Sequence, residues 1–306
     1  MSSQVNFSED FKPSFSGHET FALRYGWLEK SFQATVYKDE NPFIAEDSIA
    51  QFGVGRNMVS AIRHWAIATG FLINSENELN VSDYAKSLMD DTRDPFLENP
   101  NSIWKIHYEL VKNPKNTTLH YLFCYLNESA FDRSLIYSRI LDFLRPFDLK
   151  KLPKEKTLTS DINVALASYS ISAQKGARDD DVNSPLAELN LLRKLGNIRY
   201  SFNFGIKSTL SNDLFISCLI DYWEREEIKL ESKMTSIKFE DILHSPRSPG
   251  RIFLLSEQEL LNRLSSIEEI SDGQVIWSET AGIQQLSRTQ RYKPEKLLIK
   301  WRAVYE

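Results

Sequence analysis

The apolar residues between positions 46 and 81 predict two helices followed by a hairpin. After a short helix candidate, EDSIAQF, Gly53 and Gly55 form a tight turn, and Asn57 can cap the next helix. Gly70 then ends that helix. Within it, apolar residues recur near helical spacing and predict a buried stripe, which consists of Met58, Ile62, Trp65, Ala66 and Ile67.

Helix, turn, helix and hairpin follow one another in a winged helix, whose second helix can enter a groove of DNA. The sequence has no acidic residue between Ser48 and Ser75, so this helix can approach phosphates without charge repulsion. A winged helix that binds protein, or that only packs, is the alternative, and we favour DNA contact. The helix residues that we predict to bind DNA are Arg56, Asn57, Ser60, Arg63 and His64.

The remaining pattern predicts a mainly α (α+β) fold with two domains. We expect an N-terminal domain at residues 1–145, which contains the winged helix, and a mainly helical domain with short strands at residues 146–306. The second domain could include another, diverged winged-helix-like unit. Within this domain, residues 159–161 predict a cap before a helix at residues 162–169, residues 185–195 (PLAELNLLRKL) predict a helix that Pro185 opens, and residues 252–255 (IFLL) predict a strand. Residues 145–156 surround two prolines and predict an interdomain linker. Residues 172–183, SAQKGARDDDVN, have almost no apolar side chain and predict a mobile loop.

Composition excludes several classes of protein. The chain has 306 residues and a net charge of −5, so any contact with DNA must come from local basic surfaces. Its two cysteines have no metal-ligand spacing and fit a reducing cytoplasm. We therefore expect a cytoplasmic protein with neither a signal peptide nor a membrane span. The sequence has no P-loop, dinucleotide fingerprint or nucleophile elbow.

Two stretches contain groups that could perform chemistry. In SGHET, His18 and Glu19 are adjacent, and in DPFLENP, Asp94 and Glu98 are four residues apart. Carboxylate oxygens with one histidine would suit Mg²⁺ or Mn²⁺ and phosphodiester chemistry. We predict His18, Glu19, Asp94 and Glu98 as catalytic, with Glu19 and Asp94 as metal ligands. The alternative is a helix-capping Glu19, a hydrogen-bonded His18 and a solvated acidic loop.

Downstream of DPFLENP, His107 and Glu109 could join the same metal cluster, although a helix packed in the core is the simpler interpretation. At the end of the chain, residues 288–302 contain six basic residues and one acid, interleaved with aromatic residues. This composition is typical both of a segment that binds a DNA backbone and of an ordinary surface helix. On the first interpretation, the contacts are Arg288, Arg291 and Lys293.

Five motifs in this order resemble those of a known family: SGHETFALRYGWL, FGVGRNMVSAIRHW, DPFLENPNSIWKIHYEL, SPLAELNLL and SPGRIFLLS. The resemblance is to the SspB-like DNA-nicking protein family of bacterial single-strand DNA phosphorothioation (Ssp) systems, which act in phage defence and restriction-modification. It extends over most of the chain. None of the motifs is a known catalytic signature, so the resemblance assigns no catalytic residue.

The resemblance implies a nickase that opens double-stranded DNA so that sulfur can replace a non-bridging phosphate oxygen. Its expected partners are a cysteine desulfurase, an ATPase and a sulfur-activating enzyme, and a homodimer is a further expectation. Three hypotheses stay open at this point: a divalent-metal-dependent DNA-nicking endonuclease, a non-catalytic DNA-binding adaptor of the same system, and a transcriptional regulator of a defence operon.

Overall fold

The structure is a computed structural model that describes residues 12–37, 41–75, 78–89, 93–147, 149, 151–171, 184–280 and 282–305. The predicted mobile loop, residues 172–183, lies outside the described residues. No helix in the described ranges combines the length and the apolar character that a membrane span requires.

Among the described residues, the first half of the chain is helical apart from one hairpin. Its elements are α1 (Trp27–Val36), α2 (Ser48–Phe52), α3 (Arg56–Ala68), β1 (Leu72–Ser75), β2 (Glu78–Val81), α4 (Asp83–Met89), α5 (Pro100–Lys112), α6 (Thr117–Cys124), α7 (Arg133–Leu144) and α8 (Glu155–Tyr169).

The second half mixes short helices with two small sheets. It begins with a 3₁₀ helix (Pro185–Leu189) and ends with another (Lys300–Tyr305). All strand pairs are antiparallel: β3 pairs with β4, and β7 lies between β5 and β6. The fold is therefore mixed α+β, as expected. The elements between the two 3₁₀ helices are β3 (Leu192–Leu195), β4 (Arg199–Phe202), α9 (Asn212–Leu230), β5 (Ser236–Lys238), α10 (Phe239–His244), α11 (Pro249–Ile252), α12 (Glu257–Ser265), α13 (Ile267–Ile270), β6 (Val275–Thr280), β7 (Ile283–Arg288) and α14 (Pro294–Leu298).

Helix α3 and the β1–β2 hairpin occur in the order that the sequence predicts, with Leu72 paired to Val81. The cap differs from our expectation. Gly55, in an extended conformation, precedes the first turn, so Asn57 lies inside the helix and does not cap it. The apolar face of α3 packs against α1 and the hairpin. Its buried residues are Val59, Ala61, Ile62, Trp65, Ala66 and Ala68.

Two predictions for the second half are wrong. The helix expected from Pro185 through Leu195 stops at Leu189, because Asn190 takes a left-handed conformation (φ 48°) and the chain continues as β3. The strand expected at residues 252–255 does not form: Ile252 ends α11, residues 253–254 are a turn, and Leu255 forms only an isolated bridge with Gly205. Ser248 caps α11, and a Cβ on Gly250 would lie 2.5 Å from the Ile242 carbonyl oxygen, so only glycine lets α11 pack against α10.

The two halves share one hydrophobic core, which extends from Leu23 to Trp301. Helix α5 of the predicted first domain packs on α9 of the predicted second domain. There, the Tyr108 hydroxyl donates to the Asp221 carboxylate at 2.7 Å, and Arg225 donates to that hydroxyl at 2.8 Å. The predicted linker, residues 145–156, connects α7 to α8. Because the interior is continuous, the elements of the second half fix the position of residues from the first.

Candidate functional site

The SGHET loop has an unusual backbone. Its φ angles are positive at Ser16 (65°), Gly17 (96°), Glu19 (48°) and Thr20 (71°). Side chains with a Cβ disfavour this region, and for a β-branched residue such as Thr20 it is a clear outlier. Each such residue costs on the order of 1–3 kcal/mol and persists only where surrounding contacts hold it. The loop therefore maintains a geometry that local sequence preferences oppose.

That geometry places His18 against Asp161 on α8. The Nε2 atom of His18 lies 2.7 Å from Oδ1 of Asp161, and both residues are buried. The backbone N–H of Thr20 donates to Nδ1 of His18 at 3.2 Å, so the proton of the neutral ring lies on Nε2 and points at the carboxylate. The strained loop thus fixes both the orientation and the tautomer of the imidazole.

The Asp161 carboxylate accepts two more hydrogen bonds. The backbone N–H of Ser16 donates to Oδ1 at 2.6 Å, and the Thr118 hydroxyl of α6 donates to Oδ2 at 2.8 Å. These contacts join the N-terminal loop, α6 and α8 at one buried charge. A buried carboxylate requires such partners, because an unpaired charge is costly in the interior.

His64 of α3 forms another wall of this site. Its ring lies edge-on to His18, with centroids 5.7 Å apart, and a Cβ on Gly17 would lie 2.6 Å from its Nδ1. Burial, with a smaller contribution from His18, lowers the pKa of His64 to about 4, so the imidazole is neutral at pH 7. His64 therefore faces His18, although the sequence suggested that it would face DNA.

A cavity of about 30 Å³ lies between these residues, which is enough for one or two water molecules. Its lining combines His18, His64, Asp161, Thr118 and Asn116 with apolar side chains of α3, α5, α6 and α8. On the other side of the loop, Thr20 borders an open surface groove of about 800 Å³ along α8. A small polar cavity and an open groove thus flank the same strained loop.

The outward side of α3 is basic. Arg56, Asn57 and Ser60 are exposed and Arg63 is half-buried. No ion pair involves Arg56 or Arg63 in the part of the chain that the structure describes. Arg56 is therefore exposed about two turns before His64, which lines the cavity, and the half-buried Arg63 directly precedes His64 in sequence.

Asp94 occupies a different place. Its Oδ1 accepts the Glu98 N–H at 2.7 Å, and its Oδ2 accepts the Asn99 N–H at 3.0 Å and the Ser102 hydroxyl. That hydroxyl also lies 2.7 Å from the hydroxyl of Tyr305. The carboxylate thus stabilises the turn before α5 and its contact with the end of the chain. No described contact joins it to His18.

The remaining predicted ligands do not gather around one point. Glu19 and Glu98 are exposed. His107 is buried between the Tyr169 hydroxyl and the Ile252 carbonyl oxygen, and Glu109 is paired with two lysines of α5. Within the described ranges, no group of three His, Cys, Asp or Glu residues could hold a metal ion. The residues that we predicted as a metal cluster therefore do not form a ligand set.

In the C-terminal segment, the three predicted DNA contacts differ from one another. The Arg288 guanidinium lies between the rings of Trp223 and Tyr292 and forms ion pairs with Glu224 and Glu227 at 2.6 and 2.7 Å. It stabilises the interface between β7 and α9, and its charge is neutralised. By contrast, Arg291 and Lys293 are exposed.

Asp161 and Thr118 are functional candidates that the sequence did not reveal. We interpreted Asp161 as part of a helix cap, but α8 begins six residues earlier, at Glu155. The signal was an acid inside an apolar stripe, because Leu158, Ile162 and Ala165 share its buried face. A carboxylate at such a position needs a buried partner, although its position in the sequence cannot identify that partner.

Comparison with known proteins gives a consistent result. A family model described as "Protein of unknown function (DUF4007)" matches residues 15–301. No curated protein sequence matches the chain. Two solved structures share its fold. The "SspB crystal structure" has a TM-score of 0.82 at 25% identity, and the "Magnesium ion-bound SspB crystal structure" has a TM-score of 0.81 at 24% identity. Each match covers 95% of this chain and 87% of the other.

Proposed function

Since this chain belongs to the DUF4007 family and resembles SspB in structure, we propose that it is a DNA-nicking endonuclease of a phosphorothioate-modification system. Its nicks in double-stranded DNA would allow sulfur incorporation. The observation that supports this proposal most strongly is the SGHET loop, whose strained backbone fixes His18 on Asp161 beside a water-sized cavity. Strain of this kind concentrates at functional sites.

The position of α3 supports contact with DNA. Its exposed side carries Arg56, Asn57 and Ser60, while His64 on the same helix lines the cavity. Arginines that neutralise backbone phosphates would anchor a duplex here, since such contacts supply most of the sequence-independent affinity. A duplex bound by α3 would then lie close to the cavity and the SGHET loop.

In this proposal, the cavity holds the water that attacks the phosphorus atom of a phosphodiester. A P–O bond to this water forms as the P–O bond to one sugar oxygen breaks, and that oxygen leaves with a proton taken from solvent. A neutral imidazole can accept a proton from that water as it attacks, and general base catalysis of this kind contributes roughly 10²–10⁴-fold. His64 is neutral at pH 7 because burial lowers its pKa to about 4. His18 can take this role only when Nδ1 releases the Thr20 N–H, and Asp161 would then stabilise the protonated ring.

Mg²⁺ is the divalent ion that we propose to test first, because one of the similar structures is magnesium-bound SspB. The described residues do not form a ligand set for it. Both oxygens of Asp161 already accept hydrogen bonds from the protein, so the carboxylate has little capacity left for a cation. We therefore assign no step of the reaction to the metal.

A non-catalytic adaptor that brings partners to DNA is the second candidate. Both ring nitrogens of His18 are already hydrogen-bonded, which would also suit a purely structural histidine. In either case, we propose that the chain works with a cysteine desulfurase, an ATPase and a sulfur-activating enzyme. The two candidates predict different results in a nicking assay.

The test uses supercoiled plasmid and the full chain, with Mg²⁺, with Mn²⁺ and with a chelator. His18→Gln can still donate an N–H to Asp161 but cannot transfer a proton. His244→Gln is the matched control, because His244 lies exposed on α10 with only a surface ion pair to Glu240. We expect the parent and the control to produce open circles, and His18→Gln to lose at least 100-fold in rate.

Nicking by His18→Gln at the parental rate would refute the assignment of the site. If the parent binds plasmid but nicks it under none of the three conditions, the adaptor is correct and the nickase is not. Melting temperatures of all three proteins show whether a loss of rate reflects a loss of folded protein.

A further inference from the structure

A second stretch of the chain has the same charge pattern as α3. The sequence has no acid between Glu188 and Asp213, and this stretch contains Arg193, Lys194, Arg199 and Lys207. It forms the β3–β4 hairpin and the loop that follows. The resemblance to known proteins and the motifs of the first half give this hairpin no role.

The basic side chains of the hairpin are exposed and unpaired. Arg193 and Lys194 on β3 and Arg199 on β4 are all exposed. No hydrogen bond or ion pair involves these three side chains in the described part of the chain. Arg199 interacts electrostatically with the carboxylate of Asp132, which caps α7 through the Leu135 N–H. The three charges are thus free to bind an anion.

Lys207 adds a fourth charge that no carboxylate pairs. The residue is only 5% exposed, and its ammonium donates to the Asn203 carbonyl oxygen at 2.6 Å. Burial, together with the guanidinium of Arg193, lowers the pKa of Lys207 to about 8. The nearby Glu259 carboxylate is occupied in an ion pair with Arg263. Lys207 therefore adds positive charge to the hairpin region, which the Glu259 carboxylate offsets only in part.

Large apolar side chains accompany these charges at the surface. Leu195 and Ile198 flank the tip of the hairpin and are 46% and 63% exposed, and Phe204 and Ile206 in the following loop are 50% and 75% exposed. A β-ribbon with basic strands and an apolar tip matches proteins that bind the minor groove of DNA, whose apolar side chains insert between base steps.

The hairpin is held rigidly on the body of the protein. Residues Phe131 and Tyr200 exchange two backbone hydrogen bonds, at 2.9 and 2.7 Å. Behind the loop, Arg263 donates to the carbonyl oxygens of Lys207 and Leu210. A preorganised surface loses little conformational entropy when it binds a ligand.

Side-chain contacts link the hairpin to the groove that borders the SGHET loop. Thr20, at the end of the SGHET loop, and Asn163 on α8 both line the open groove. Asn163 accepts a hydrogen bond from Arg133 at 2.6 Å, and Arg133 in turn contacts the Tyr200 hydroxyl of β4 at 3.3 Å. The groove wall at Asn163 is therefore linked through Arg133 to the hairpin.

We propose that the β3–β4 hairpin is a second DNA-binding element. It would hold the phosphate backbone and minor groove of the same duplex that reaches His18 along α8. This inference rests on the proposed function, because the duplex is the substrate assigned there. Charge complementarity selects DNA over a protein partner, since three exposed, unpaired cations within seven residues, in a stretch without an acid, match a polyphosphate.

The experiment measures the affinity of the full chain for a labelled duplex as a function of salt concentration. The hairpin variant is Arg193→Ala with Lys194→Ala and Arg199→Ala. Its control removes the same charge from exposed lysines elsewhere: Lys233→Ala with Lys238→Ala and Lys151→Ala. We expect the slope of log affinity against log salt to decrease by about 2–3 for the hairpin variant, because each lost phosphate contact reduces it by about 0.9. The control should keep the parental slope.

A second variant, Leu195→Ser with Ile198→Ser, tests the apolar tip. We expect it to weaken binding severalfold without changing the salt slope, because it removes no charge. Parental affinity and slope in both hairpin variants would overturn the inference, and so would equal losses in the hairpin variant and its control. If the hairpin variant keeps DNA affinity but loses binding of a partner protein, the surface is a protein interface and the inference is wrong.

The hairpin experiment and the nicking experiment can fail independently of each other. If His18→Gln loses nicking and the hairpin variant shows the expected decrease in salt slope, both proposals are supported. Failure of the parent to nick, together with a reduced slope in the hairpin variant, refutes the nickase and leaves the hairpin as a DNA contact. Parental slope in the hairpin variant, together with His18-dependent nicking, refutes only the hairpin.

Discussion

The SGHET loop and the DPFLENP turn contain the same kinds of residue, but the fold uses them differently. Asp94 is saturated by neighbours at most eight residues away, together with Tyr305 through the Ser102 hydroxyl. His18 is held by Asp161, which lies 143 residues away in sequence, and it borders a cavity. A carboxylate whose partners are local stabilises a turn, whereas a side chain fixed by distant elements can be presented to a substrate.

The largest expected effect is that a substitution in the SGHET loop lowers the nicking rate, whereas a substitution in the DPFLENP turn lowers stability. His18→Gln should lose at least 100-fold in nicking rate and little stability, because it keeps a donor for Asp161. Asp94→Asn should lose roughly 1.5–3 kcal/mol of unfolding free energy, because it removes a charged acceptor from a buried network. Urea unfolding and plasmid nicking per folded molecule measure the two quantities. A large loss of nicking in folded Asp94→Asn would show that the two regions act together, as the sequence suggested.

The next effect concerns the strain in the SGHET loop. Gly17→Ala introduces a Cβ at positive φ that would lie 2.6 Å from Nδ1 of His64, whereas Gly26→Ala meets nothing within 4 Å at a similarly positive φ. Both variants should lose about 1 kcal/mol from the backbone. We expect Gly17→Ala to lose roughly 1–3 kcal/mol more from the clash, and to lose nicking. Equal melting temperatures would mean that the loop can move away from α3.

Because His64 and His107 are buried, we expect the protein to lose stability in acid. The pKa values of His64 and His107 are lowered to about 4, mainly by burial. The unfolded chain takes up these protons near pH 6.5 and the folded chain does not, so stability is fully present above pH 6.5 and falls towards pH 4. For the fully buried His107, the loss is about 1.4 kcal/mol per pH unit. Urea midpoints from pH 7.5 to 5 measure it, and a flat profile would contradict the burial of these rings.

The smallest expected effect compares arginines without ion pairs on α3 with the ion-paired Arg288 on β7. Arg56→Ala with Arg63→Ala should reduce the salt slope of duplex binding by about 2 and leave folding intact, because neither residue is ion-paired. Arg288→Ala should do the reverse: it should lower the melting temperature, because Glu224 and Glu227 lose their shared partner, and leave the slope unchanged. Fluorescence anisotropy and thermal unfolding separate the two results. An unchanged slope in the α3 variant would exclude this helix as the DNA contact.

Several features of the fold followed from the sequence because their causes are local. The turn at Gly53 and Gly55, the periodicity of α3 and the alternation of the β1–β2 hairpin depend on residues a few positions apart. The predicted helix from Pro185 failed for a local reason as well, since Asn190 adopted the left-handed conformation that ends a helix. The adjacent His18 and Glu19 were enough to predict SGHET as a candidate site.

Only the tertiary structure determined which groups meet. The sequence placed His64 with the DNA contacts, and the fold turned it towards His18. The sequence predicted Arg288 as a DNA contact, but in the structure two glutamates of α9 neutralise its charge. Asp161 became the partner of His18 because α8 packs against α6 and brings its buried face to the N-terminal loop. Local sequence sets backbone preference and periodicity, but a buried charge takes whichever partner the packing of distant elements supplies.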